Sequence, residues 1–62
     1  MVISELYRVI EEHSTLSITQ DECTYYEGVA EKLPMSMMDC SIKEIYPMVV
    51  NGVETLVIEL CE

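Results

Sequence analysis

Two β-rich runs meet at Val50-Asn51-Gly52-Val53, and this junction constrains the chain more than any other stretch of it. Asn-Gly between strand-forming segments predicts a two-residue type I′ hairpin turn, because both central residues must take positive φ. The turn fixes a register. Val50 pairs with Val53 as a hydrogen-bonded couple, so Met48 faces Thr55, Pro47 faces Leu56 and Tyr46 faces Val57. Pro47 then falls in a non-hydrogen-bonded pair, where its missing N–H points away from the last strand. That places the run Cys40 to Val50 at an edge of the sheet, or bulged at Pro47. One face of the hairpin collects Ile45, Pro47, Val49, Leu56, Ile58 and Leu60. The other collects Ile42, Tyr46, Met48, Val50, Val53 and Val57. Both faces are apolar, so each needs cover.

The rest of the chain supplies cover for one of them. Ile3, Leu6, Ile10 and His13 recur at helical spacing, widened by Tyr7 and Val9, with Ser4, Glu5, Arg8, Glu11 and Glu12 largely opposite. A helix is predicted from Ser4 to Glu12, with Ser4 as a cap and Glu5 at the positive end of the dipole. Glu11 and Glu12 weaken its last turn. Leu16 and Ile18 alternate with Ser17 and Thr19 in a half-buried strand, Gln20-Asp21-Glu22 makes a polar turn, and a second strand runs from Cys23 to Ala30. Gly28 inside it marks a bulge or a close packing contact. Pro34 and the methionines of Leu33 to Asp39 predict a short helical turn crossing one end of the sheet. The expected fold is one α+β domain over residues 1–62, a helix packed on a four-stranded antiparallel sheet with a helical turn between strands 2 and 3. A single helix covers one face, which makes a homodimer or a bound partner the economical cover for the other.

Composition narrows the function classes. The 62 residues carry 12 carboxylates against 3 basic side chains, a net charge of −9, and are nonetheless 50% apolar. A disordered acidic tail lacks that apolar content, so the charge decorates a core. A chain this short hides only about 60% of its unfolded surface and needs help from a disulfide, a metal or oligomerisation. No basic segment precedes a long apolar stretch and no apolar run approaches membrane-spanning length, so the chain reads as a soluble protein of the cytoplasm. Cys23, Cys40 and Cys61 are odd in number and widely spaced, which suits free thiols in a reducing compartment better than a secreted disulfide framework.

Each chemical motif has a plainer reading that outweighs it. His13 and the three cysteines could make four zinc ligands, but no Cys-x-x-Cys or His-x-x-His pair is present. A Cys23 or Cys40 nucleophile served by His13 lacks a third orienting residue. Glu11-Glu12 and Asp21-Glu22 splay their carboxylates apart and read as solvated charge. With Gly28 and Gly52 as the only glycines, there is no phosphate-cradling loop, dinucleotide fingerprint or EF-hand. The reading is therefore non-enzymatic, with no metal and no cofactor.

The charge also argues against direct nucleic-acid binding, since phosphate affinity comes from lysine and arginine. It favours the reverse partner, a protein with a basic surface, reached quickly by electrostatic steering and held by apolar anchors. The candidate binding residues are Glu5, Glu12 and Glu27 for charge, and Tyr46 and Met48 as anchors. The dimer or apolar face comprises Ile42, Tyr46, Met48, Val50, Val53 and Val57. Acidity that merely confers solubility is the competing account. The Met35, Met37 and Met38 cluster divides likewise between an adaptable surface and gap-filling under the sheet.

The whole string, an amphipathic helix, a strand, Tyr25-Tyr26-Glu27-Gly28, a Leu33-Pro34 step with a helical turn to Asp39, and a hairpin closing on Leu56-Val57-Ile58-Glu59-Leu60, resembles the short acidic uncharacterised proteins common in phages and mobile elements of Gram-positive bacteria. The likeness spans nearly the full chain, and its motifs are degenerate. It implies a context that includes small inhibitors of host defence, anti-CRISPR proteins among them, which act stoichiometrically by blocking a site. The leading expectation is a homodimeric, non-catalytic α+β binding protein that engages and blocks a host protein, a basic nucleic-acid-binding site being one such target. The alternatives are a phage structural or assembly accessory and a module for a metal or small ligand.

Overall fold

A computed structural model describes Met1 to Cys61. The elements run α1 (Ile3–Tyr7), β1 (Thr15–Gln20), β2 (Cys23–Val29), two 3₁₀ turns (Ala30–Lys32 and Met35–Met37), β3 (Ile42–Val50) and β4 (Val53–Leu60). The strands form one sheet in the order β2-β1-β4-β3.

Two hairpins build this sheet. In the second, Asn51 and Gly52 take φ of 51° and 80°, and Val50 pairs with Val53, Met48 with Thr55, Pro47 with Leu56 and Tyr46 with Val57. This is the register that the turn chemistry predicts, and β3 is an edge strand as Pro47 requires. In the first hairpin Asp21 and Glu22 carry φ of 49° and 68°, so a type I′ turn forms there without glycine. Replacing Gly52 by valine puts a β-branched residue at positive φ. Nothing lies within 4 Å of the added Cβ, so the loss comes from the backbone alone. About 1–2 kcal/mol is expected, a fall in melting temperature of about 5–15 °C in a domain of this size. An unchanged melting curve would rule out the turn's role in fixing the register.

The expected all-antiparallel sheet needs correction: β1 pairs β2 and β3 pairs β4 antiparallel, but β1 and β4 run parallel, Thr15 beside Thr55 through Thr19 beside Glu59. The cause is the segment 30–41. It leaves β2 at the edge and end of the sheet where β1 begins, and enters β3 at the opposite edge and the opposite end. β2 and β3 therefore share a direction, which demands a crossover of about a dozen residues, and the two hairpins must meet with β1 parallel to β4.

The helix is also shorter than predicted, ending at Tyr7 instead of Glu12. Ser4 is not its cap. The N–H of Val2 donates to Glu5 Oε1 at 2.9 Å, while the N–H groups of Ile3 and Ser4 reach the carbonyls of Cys40 and Met38 at 3.0 and 2.9 Å. The crossover thus accepts the hydrogen bonds that the first helical turn cannot make internally. Beyond Tyr7 the helix does not continue, although Ile10 still packs against the core: Val9 is exposed, and His13 lies in the turn before β1, exposed and 2.8 Å from Glu11.

Ile3, Leu6, Leu16, Ile18, Ala30, Leu33, Ile58 and Leu60 form the buried cluster, with Tyr7, Tyr26, Met37, Met38 and Ile45 packed against it. One layer, made of α1 and the crossover, covers one face of the sheet. The molecule measures 29 × 24 × 16 Å, and its least dimension accommodates a sheet and one covering layer but not two.

Candidate functional site

The other face of the sheet has no covering element among the described residues. Ladder partners share a face, so its composition follows from three rows that cross all four strands. Glu27, Ser17, Val57 and Tyr46 make one, Val29, Thr15, Thr55 and Met48 a second, and Thr24, Thr19, Glu59 and Glu44 a third. Val50 and Val53 close the β3/β4 half at its turn.

This face is divided. Over β1 it presents hydroxyls, Thr15, Ser17 and Thr19, which β-branching and small size suit to a wetted pleated surface. Toward the turn of the second hairpin it is apolar, and Tyr46 and Met48 of β3 and Val53 of β4 are 40%, 52% and 50% exposed. Thr55 and Val57 sit between, each 5% exposed because β4 is a central strand flanked by side chains of both neighbours. Thr55 satisfies its hydroxyl locally, donating to the carbonyl of Val53 at 3.2 Å. Where the second hairpin overhangs the start of β1, an open groove of about 840 Å³ is bordered by His13, Thr15, Met48, Glu54 and Leu56.

Charge is concentrated at the opposite end. Glu44 and Glu59 are direct cross-strand partners, a like-charge juxtaposition that opposes strand pairing. Among the described residues the one ion pair is His13 with Glu11, both more than 70% exposed, so neither Glu44 nor Glu59 has a basic side chain within salt-bridge distance. Also among the described residues, no group of three or more His, Cys, Asp or Glu side chains is placed to hold a metal ion. No helix there is long and apolar enough to cross a membrane.

The sequence-derived residues distribute unevenly over this geometry. Tyr46, Met48, Val50, Val53 and Val57 gather on the open face. Ile42 does not. Lys43 is an extra residue in β3, so Ile42 pairs with Leu60 and packs against the core cluster. A one-residue slip reverses the face of everything beyond it. Glu27 shares the open face, on the opposite edge strand from Tyr46 with β1 and β4 between them. Glu5 lies on α1 with its carboxylate on the Val2 N–H, and Glu12 lies in the turn before β1, where its carbonyl accepts from Glu31 at 2.8 Å. Neither joins the anchors. Glu44 and Glu59, absent from the predicted set, do. Comparison with protein-family models, curated proteins and solved structures finds no match to this chain.

Proposed function

We propose that this chain is a non-catalytic binding domain, of the phage or mobile-element type, whose open sheet face docks on a basic surface of a host protein and blocks it. The observation that carries this reading is the Glu44/Glu59 pair, uncompensated by any described basic group and set on the same face as the exposed Tyr46 and Met48. Opposed like charges oppose folding, whereas a cationic partner turns the same pair into a bidentate site for arginine or lysine. Tyr46 and Met48 supply the apolar contact beside it, and Glu27 extends the acidic rim. Glu5 and Glu12, off this face, act through the long-range field that steers encounter. Inhibition of a nucleic-acid-binding site follows from the same charge, because a surface built for phosphate accepts a carboxylate array.

The test begins with a basic protein captured from host lysate and proceeds to kinetics. With Glu44→Gln/Glu59→Gln the association rate should fall about tenfold at low salt, and raising salt should slow the unaltered domain similarly. Tyr46→Ala and Met48→Ala should act on dissociation instead, with circular dichroism confirming that each variant is folded. Association indifferent to salt and to the carboxylates sinks the proposal. So does light scattering that shows a stable dimer which Tyr46→Ala and Met48→Ala dissociate, since a second copy would then be the occupant.

A further inference from the structure

All three cysteines lie at one end of the sheet. Cys23 opens β2 opposite Gln20, Cys40 precedes β3, and Cys61 follows β4. Two of them share a cleft of about 480 Å³, where Cys40 and Cys61 stand among Tyr25, Met37 and Leu60. The backbone holds them close: the N–H of Cys61 donates at 2.9 Å to the carbonyl of Ser41, the residue next to Cys40, and the Gln20 side chain bonds the carbonyl of Cys61. Cys40 is half-buried and packed against the core cluster, whereas Cys61 is exposed.

We infer that Cys40 and Cys61 form a dithiol modification site for low-molecular-weight disulfides, with Cys61 as the entry thiol and Cys40 as the resolving one. The Cys61 thiolate attacks one sulfur of the small disulfide, forming a mixed disulfide and releasing one thiol. The Cys40 thiolate then attacks the Cys61 sulfur and releases the second thiol. Two protein thiols and one disulfide become one protein disulfide and two small thiols, so atoms and electrons balance. The bond ties the crossover to the end of β4, two segments joined at this point by the backbone hydrogen bond from Cys61 to Ser41. Cys23 takes no part in resolution. It does not border the cleft, and on exchange it keeps a stable adduct.

The probe is oxidised glutathione on the intact chain, read by mass spectrometry of the whole protein and of its peptides. The expected product is a Cys40–Cys61 bridge with glutathione retained on Cys23 alone. Cys40→Ser should instead accumulate glutathione on Cys61 as a stable adduct, at least tenfold above its level in the unaltered protein. Stable glutathione on both Cys40 and Cys61 of the unaltered chain overturns the inference, as does a bridge that includes Cys23. Cys40→Ser exchanges a single atom of a half-buried side chain that packs against the core cluster, so a native circular dichroism spectrum is required of it.

Discussion

Ile58→Ala is expected to leave the chain largely unfolded at physiological temperature. Ile58 has no exposed surface, lies on a central strand, and is flanked in the ladders by Ile18 on β1 and Ile45 on β3. Its methyl groups meet the layer that carries Ile3 and Leu6. Truncation at such a site costs about 2–5 kcal/mol, transfer and cavity together, against a core of this size that supplies only about 3–5 kcal/mol. Urea titration followed by circular dichroism reads the effect directly. Ile58→Val should lose about 0.5–1.5 kcal/mol and keep the fold. Val49→Ala, on the same side of the hairpin but 67% exposed, should stay within about 0.5 kcal/mol of the parent. If Ile58→Ala and Val49→Ala behave alike, Ile58 does not sit under the covering layer that Val49 escapes.

That contrast between Ile58 and Val49 marks how far local chemistry carries. The hairpin was legible because Asn51-Gly52 leaves few backbone choices and a strand's period of two propagates the choice along both arms. The edge position of β3 followed from one missing N–H, that of Pro47. The parallel β1/β4 ladder is non-local, yet the segment 30–41 held a signal: it is too long for a hairpin loop and suits a crossover. The near-continuous apolar run Leu56-Val57-Ile58 pointed the same way, since strands flanked on both sides lose their alternation. The predicted helix is too long because Val9 and His13 fit a periodicity that the chain abandons in order to turn into β1, while Ile10 keeps its place against the core without the helix.

At the open face, the arithmetic that paired Tyr46 with Val57 also pairs Glu44 with Glu59, so that juxtaposition was available from the turn alone. The Lys43 bulge was not. No glycine announces it, and only packing of Ile42 beside Leu60 explains why the strand takes up an extra residue there. Glu5 and Glu12 carry the charge that the sequence points to, but not the position. Their separation from Glu27 depends on which face α1 covers, a tertiary fact that charge patterning does not encode.

Gly28→Val tests the one place where backbone and side chain are fitted to each other across the core edge. Gly28 has φ of +155°, in the region that side chains rarely adopt, and a Cβ there would stand 3.3 Å from the Tyr26 hydroxyl oxygen and 3.6 Å from its Cζ. Tyr26 is half-buried, packs on the core cluster, and donates its hydroxyl to the carbonyl of Val29, so its ring lies over the glycine and is tied down beyond it. The bulge expected at Gly28 is found at Tyr25 instead: Ile18 pairs with Tyr26 and Thr19 with Thr24. Gly28 therefore serves the close contact. Valine must displace the ring, break its hydrogen bond and strain the backbone, a combined loss of about 2–4 kcal/mol. Gly28→Ala should lose about half as much. The double-mutant cycle with Tyr26→Phe separates the causes, because removing the hydroxyl removes the closest clash along with the hydrogen bond. Gly28→Ala should then cost less in the Tyr26→Phe background than in the parent, by at least about 0.5 kcal/mol in urea titrations. Strictly additive losses would show that backbone strain alone requires the glycine and that Tyr26 is not seated on it.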